Sequence, residues 1–161
     1  LQKRTQQNTT RYRTALYLRL SREDGDKTES DSIANQRTLL EAYAIDHPEL
    51  CIVDEFVDDG YSGSNFERPA FQRLFQELEQ GTINCILVKD LSRFGRNYIE
   101  VGRYLERIFP VMRVRLIAVT DNYDSQSAWK TSDCTNGWKN TVICRSWYGK
   151  ALEKANSNQK K

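Results

Sequence analysis

An α/β fold with a largely parallel sheet is what this chain of 161 residues predicts. Three observations carry the expectation. Short apolar runs at 14–20, 51–57, 83–88 and 114–120 read as strands. The segments between them place apolar residues at helical spacing. Strand and helix alternating along a chain give parallel strands, right-handed crossovers and helices on both faces of a four- to five-stranded sheet. Function in such sheets gathers at the carboxyl ends of the strands, so the residues following each strand are the first candidates for a site.

Thr14 to Leu20 is the first strand. Side chains alternate along it, so Leu16, Leu18 and Leu20 turn into the core while Tyr17, Arg19 and Ser21 share the other face. A hydroxyl and a fixed positive charge then lie side by side. Residues 22–29 are charged, hold one glycine and no apolar anchor, and read as a mobile loop beside Ser21. After the capping residues Ser30, Asp31 and Ser32, a helical stripe of Ile33, Leu40, Tyr43 and Ala44 runs to His47-Pro48. Gln36 lies on its inner half, toward the Ser21 end.

Cys51 to Val57 is the second strand, and the turn formers from Asp58 to Ser64 follow it. Pro69 fits a first helical position, Phe71, Leu74, Phe75 and Leu78 make one face, and Gly81 closes that helix. Ile83 to Val88 is apolar enough to be buried on both faces. Behind it come Asp90, Arg93 and Arg96, the two arginines three residues apart so that a helical turn aims both at one point. Asn97 caps a helix bearing Tyr98, Val101, Tyr104, Leu105 and Ile108, which Pro110 stops. Val114 to Thr120 is the fourth strand. Ser21, Asp58 to Ser62, Lys89 to Arg96 and Asp121 all fall at the carboxyl edge.

Composition limits the alternatives. The net charge is only +2, yet residues 1–13 hold four basic and no acidic side chains, and 125–161 hold seven basic and two acidic. That leaves 13 basic against 20 acidic residues in 14–124, a net charge of −7. Non-specific DNA affinity comes from neutralising phosphates, so any nucleic-acid role rests on a local basic cluster or another domain. Cys51, Cys85, Cys134 and Cys144 lack metal-ligand spacing and His47 is the sole histidine, so no metal is expected. No apolar run spans a membrane and no signal peptide is visible, which makes a cytoplasmic location the default. The opening on Leu1, with Met112 the only methionine, suggests a fragment of a longer protein. Residues 1–13 read as a disordered basic arm, 14–125 as one domain, and 126–161, with Trp129, Trp138 and Trp147, as a polar basic tail that is disordered or non-native.

A serine needs its proton taken, and His47 sits at a helix end remote from every candidate, which disfavours a Ser-His-Asp triad. Guanidiniums around one serine instead suit chemistry on a phosphate. No Walker pattern is present, so nucleotide hydrolysis has no cradle.

These segments together resemble the catalytic domain of the serine recombinases: YLRLS at 17–21, Gln36, DDGYSGSNFERPAF at 58–71, ILVKDLSRFGRN at 86–97 and IAVTDNYDS ending at 125. The transposase and integrase branch of mobile elements, the large serine recombinases of bacteria, is most similar. The resemblance implies a resolvase-like fold and site-specific DNA recombination, by excision or integration, through a 5′-phosphoserine at Ser21, with neither cofactor nor metal. It implies that Arg19, Arg68, Arg93 and Arg96 surround the phosphate and that Gln36 and Ser62 orient it or the serine. A homodimer on each DNA site and a tetramer at synapsis are implied as well. Many members carry an aspartate immediately before the first paired arginine; here Ser92 stands there and Asp90 two residues earlier, so Asp90 is a candidate to orient an arginine or assist proton transfer. The competing readings are a non-catalytic dimerisation or regulatory module on the same fold, and an unrelated phosphate-binding enzyme. Taken singly, Arg19 and Ser21 are an ordinary strand end, Ser62 a turn residue, and Gln36 a surface residue.

Overall fold

The computed structural model describes residues 11–20 and 32–127. Ser21, the 22–29 loop, most of the expected basic arm and the tail from 128 onward lie outside the described residues.

Strand β1 (Tyr12–Leu20) begins two residues before the expected Thr14. Arg13 accounts for the difference: its guanidinium donates to Gly81 O at 2.6 Å and Thr82 O at 2.7 Å, and its backbone N–H reaches Asn84 Oδ1 at 2.8 Å. Helix α1 (Ile33–Ile45) is capped by Ser32, whose side chain accepts from Asn35 N, and it buries Gln36, Leu40 and Ala44. At its far end the His47 ring stacks on Tyr43 at 4.0 Å, a helix terminus and no more. Strand β2 (Leu50–Asp59) follows.

Helix α2 (Pro69–Glu79) opens on its proline and buries Ala70, Phe71, Leu74 and Leu78. Gly81, at φ +72°, makes the left-handed turn that releases the chain into the next strand. Strand β3 (Cys85–Val88) is buried along its whole length. Helix α3 (Leu91–Phe94) is a single turn, and α4 (Tyr98–Arg103) is capped by Asn97, which accepts from Ile99 N and Glu100 N.

Pro110 does not stop that helix. A π turn over Tyr104–Ile108 carries it into α5 (Phe109–Met112), with the Phe109 N–H donating to Tyr104 O. A proline inside an α-helix has no N–H to give and its ring crowds the carbonyl four residues back. Widening the turn removes that conflict. Strands β4 (Arg115–Ala118) and β5 (Tyr123–Asp124) complete the chain.

The sheet order is β2-β1-β3-β4-β5; the first four strands are parallel and β5 pairs antiparallel with β4. One apolar cluster joins α1 to Leu16, Leu18, Leu87 and Ile117. The other packs α2, α4 and the π turn on Ala15, Tyr17, Ile86 and Leu116. Helices therefore cover both faces. The face of β1 that carries Tyr17 and Arg19 is not an open strand end, since both residues are 0 % exposed.

Candidate active site

Arg19 sits at the carboxyl end of β1, and backbone oxygens hold its guanidinium. Nε donates to Arg93 O at 3.2 Å, Nη1 to Tyr61 O at 3.0 Å and Nη2 to Ser92 O at 3.0 Å. Arg93 returns the contact, its Nη1 donating to Arg19 O at 3.3 Å. Gln36 reaches the same backbone from α1, its Nε2 donating to Arg19 O at 3.1 Å. Burial first, then the charges of Arg96, Arg68 and Arg93, push the Arg19 guanidinium down to about 10. A buried cation among cations, tied to neutral carbonyls, is short of negative charge.

Arg93 is placed by α3. Asp90 is that helix's N-cap: its Oδ1 accepts the Arg93 N–H at 3.0 Å and the Ser92 hydroxyl at 2.5 Å, and its Oδ2 lies 3.8 Å from Arg93 Nε. Asp121, after β4, accepts the Leu91 N–H at 2.8 Å, so two carboxylates anchor one turn. Asp90 thus caps the helix start and lies within ion-pair distance of Arg93. Arg96 lies just beyond, exposed, with its backbone N–H on Gly63 O at 2.7 Å.

Arg68 immediately precedes α2 and is 1 % exposed. Its Cζ lies 4.9 Å from the Phe66 ring centroid, 5.2 Å from Phe71 and 5.5 Å from Tyr17. Nη2 donates to Phe94 O at 2.7 Å, while Nε and Nη1 have no hydrogen-bond partner among the described residues. Burial lowers its affinity for its proton. Ser62 is exposed, its hydroxyl paired with that of Ser64 at 2.9 Å.

Asp58, which sequence reasoning left without a role, organises this edge. At the end of β2, it is 1 % exposed. It accepts the Tyr17 hydroxyl at 2.7 Å on Oδ2, the Phe71 N–H at 3.0 Å on Oδ2 and the Ala70 N–H at 2.9 Å on Oδ1. It therefore caps α2 from a distance, where Arg68 at the N-cap position makes no side-chain cap bond. The available signal was a helix starting at Arg68-Pro69 with no capping side chain of its own, and a buried carboxylate must then come from elsewhere. Burial raises the Tyr17 phenol well above its ordinary range, and Asp58 adds to the effect.

Arg19, Arg68, Arg93 and Gln36 are thus brought together at one sheet edge, with Arg96 at its rim. The position of the Ser21 hydroxyl lies outside the described residues. Among the described residues no group of three or more His, Cys, Asp or Glu could hold a metal ion, and no helix is long and apolar enough to cross a membrane. Clustered, carbonyl-fixed guanidiniums can receive an anion with several oxygens, as a phosphoryl group presents.

The profile of the resolvase N-terminal domain matches residues 14–132. The chain belongs to the resolvase family. Solved structures agree. The N-terminal catalytic domain of TP901-1 integrase is 26 % identical with a TM-score of 0.66, covering 88 % of this chain and 98 % of its own. A resolvase-family site-specific recombinase from Streptococcus pneumoniae is 25 % identical with a TM-score of 0.61, covering 92 % and 93 %. The C-terminal catalytic domain of ISC1926 TnpA, an IS607-like serine recombinase, is 25 % identical with a TM-score of 0.54, covering 66 % and 69 %. No curated protein sequence matches the chain. Membership makes this resolvase-family chain the catalytic domain of a site-specific recombinase, with DNA as substrate, and its mostly parallel sheet is the resolvase-like fold that the motifs implied.

Proposed function

We propose that this catalytic domain cuts and rejoins DNA through a covalent bond to Ser21. The serine oxygen attacks a backbone phosphorus, the P–O3′ bond breaks, and the serine proton ends on the departing 3′ oxygen. The product is a 5′-phosphoseryl linkage and a free 3′-hydroxyl. One phosphodiester is exchanged for another, so rejoining is the reverse attack by a 3′-hydroxyl with no external energy source.

The observation that carries the reading is the fixed fork of Arg19, two residues before Ser21 and grouped with Arg68, Arg93 and Arg96. Negative charge grows on the phosphoryl oxygens as the serine attacks, and pre-positioned guanidiniums stabilise it without reorganising. Gln36 and Asp90 act through Arg19 and Arg93, and Ser62 presents a hydroxyl at the rim. The chain works as a homodimer on each site and a tetramer at synapsis, in the cytoplasm of a bacterium.

The test is to incubate the full-length protein, wild type or Ser21→Ala, with its attachment-site DNA and look for an adduct that survives SDS. Wild type alone should form it. An adduct from both would remove Ser21 as nucleophile, and an adduct from neither would favour a non-catalytic module.

A further inference from the structure

Gly63 belongs to the loop between β2 and α2. Its carbonyl accepts the Arg96 N–H at 2.7 Å, and two residues earlier Tyr61 O accepts Arg19 Nη1 at 3.0 Å. The loop is a strap across both arginines. Glycine is not needed here for its backbone: the left-handed glycines among the described residues are Gly60 and Gly81. Space is what requires it. A β-carbon on Gly63 would lie 2.8 Å from Arg96 Cγ, 2.9 Å from Arg19 Nη2 and 3.0 Å from Arg19 Cζ. The Arg19 fork cannot swing away, because it is buried and three carbonyls hold it.

We propose that Gly63 is a positioning residue: its missing side chain lets the Arg19 fork and the Arg96 stem close on one strap, which sets the spacing of the cluster that receives the phosphate. The last clause rests on the functional reading above; the spacing itself does not. Gly95 supplies the contrast. A β-carbon there would meet Phe66 Cζ at 2.7 Å and Val101 Cγ2 at 2.8 Å, a clash of equal severity that touches neither Arg19 nor Arg96.

The experiment follows the arginine side-chain NMR signals of the full chain as wild type, Gly63→Ala and Gly95→Ala, first without ligand and then with inorganic phosphate, beside thermal melts. Gly63→Ala should displace the Arg19 and Arg96 signals before any phosphate is added and weaken phosphate binding by roughly tenfold. Gly95→Ala should lower the melting temperature and leave the Arg19 and Arg96 signals in place. Arg96→Ala vacates one side of the strap, so adding Gly63→Ala to it should move the Arg19 signal less than in the wild-type background. If Gly63→Ala unfolds the chain alone but not beside Arg96→Ala, the spacing role stands. Unfolding in both backgrounds, or arginine signals unmoved by Gly63→Ala, overturns it. A wild-type chain that ignores phosphate would sink the phosphate-site reading, while the ligand-free signals still decide the role of Gly63.

Discussion

Gln36 and Arg19 are joined by a reciprocal pair of hydrogen bonds, Gln36 Nε2 to Arg19 O at 3.1 Å and Arg19 N to Gln36 Oε1 at 3.3 Å. The ladder between β1 and β3 covers only Thr14 to Leu16. Past that point the side-chain amide does what a neighbouring strand would do, offering one donor and one acceptor to backbone that has outrun its partner. Gln36→Ala leaves the buried Arg19 N–H without this acceptor, while Arg93 Nη1 still serves the carbonyl. A loss of about 1–3 kcal/mol is expected from urea denaturation. A midpoint like that of wild type would mean that water replaces the amide.

Asp58 holds three donors and Tyr17 supplies one of them. Tyr17→Phe should therefore cost about 2 kcal/mol. Asp58→Ala strands the phenol and both helix N–H groups and should cost at least ~3 kcal/mol. Equal losses in the two variants, read by circular dichroism during denaturation, would mean that Asp58 does not organise the start of α2.

Arg68 is a buried cation stacked on aromatic rings with two nitrogens unpaired among the described residues. An apolar chain of similar length escapes the desolvation cost. Arg68→Met sheds that cost but strands Phe94 O, so it should lose no more than about 2 kcal/mol while abolishing the DNA adduct. A loss greater than about 3 kcal/mol would show that the charge serves the fold rather than the substrate.

Ser92 immediately precedes Arg93, and its hydroxyl already donates to Asp90. Ser92→Asp would set two carboxylates side by side, so one retains its proton to a higher pH. The folded form then binds more protons than the unfolded, and the penalty grows with pH. Denaturation should show a deficit of about 1–2 kcal/mol near pH 8, smaller near pH 5, and smaller again when Asp90→Ser is added. A deficit independent of pH would point to steric crowding.

Alkali should weaken the fold. Burial pushes the Cys85 thiol up from 9.0 to about 12, and the Tyr17 and Tyr123 phenols also rise from 10.0. Folded groups keep protons that unfolded ones release, so stability falls as pH climbs through that window, by up to about 1.4 kcal/mol per pH unit for each group. Arg19 works the other way, but only above its lowered value of about 10. Between pH 9 and 10 Cys85 dominates, and Cys85→Ala should flatten the urea midpoint there. An unchanged slope would exclude the thiol.

What was legible beforehand was what local chemistry controls. Pro69, Gly81 and Asn97 act on their own helix ends, and each does what its residue type predicts. Pro110 misleads because a π turn answers the missing donor, a remedy that no periodicity announces. β5 has two residues, too few to show alternation. Alternation along β1 separates two faces but not whether both are covered, so the burial of Arg19 depends on the loop at Tyr61, α3 and Gln36 closing around it. Asp58 was missed because its partners Tyr17, Ala70 and Phe71 are remote in sequence.

Arg19 ties carbonyls of Tyr61, Ser92 and Arg93, so one side chain splices two loops that sequence keeps some thirty residues apart. The acceptors are main-chain oxygens, so substitutions along either segment should leave the splice standing, whereas a one-residue insertion or deletion in either should break it.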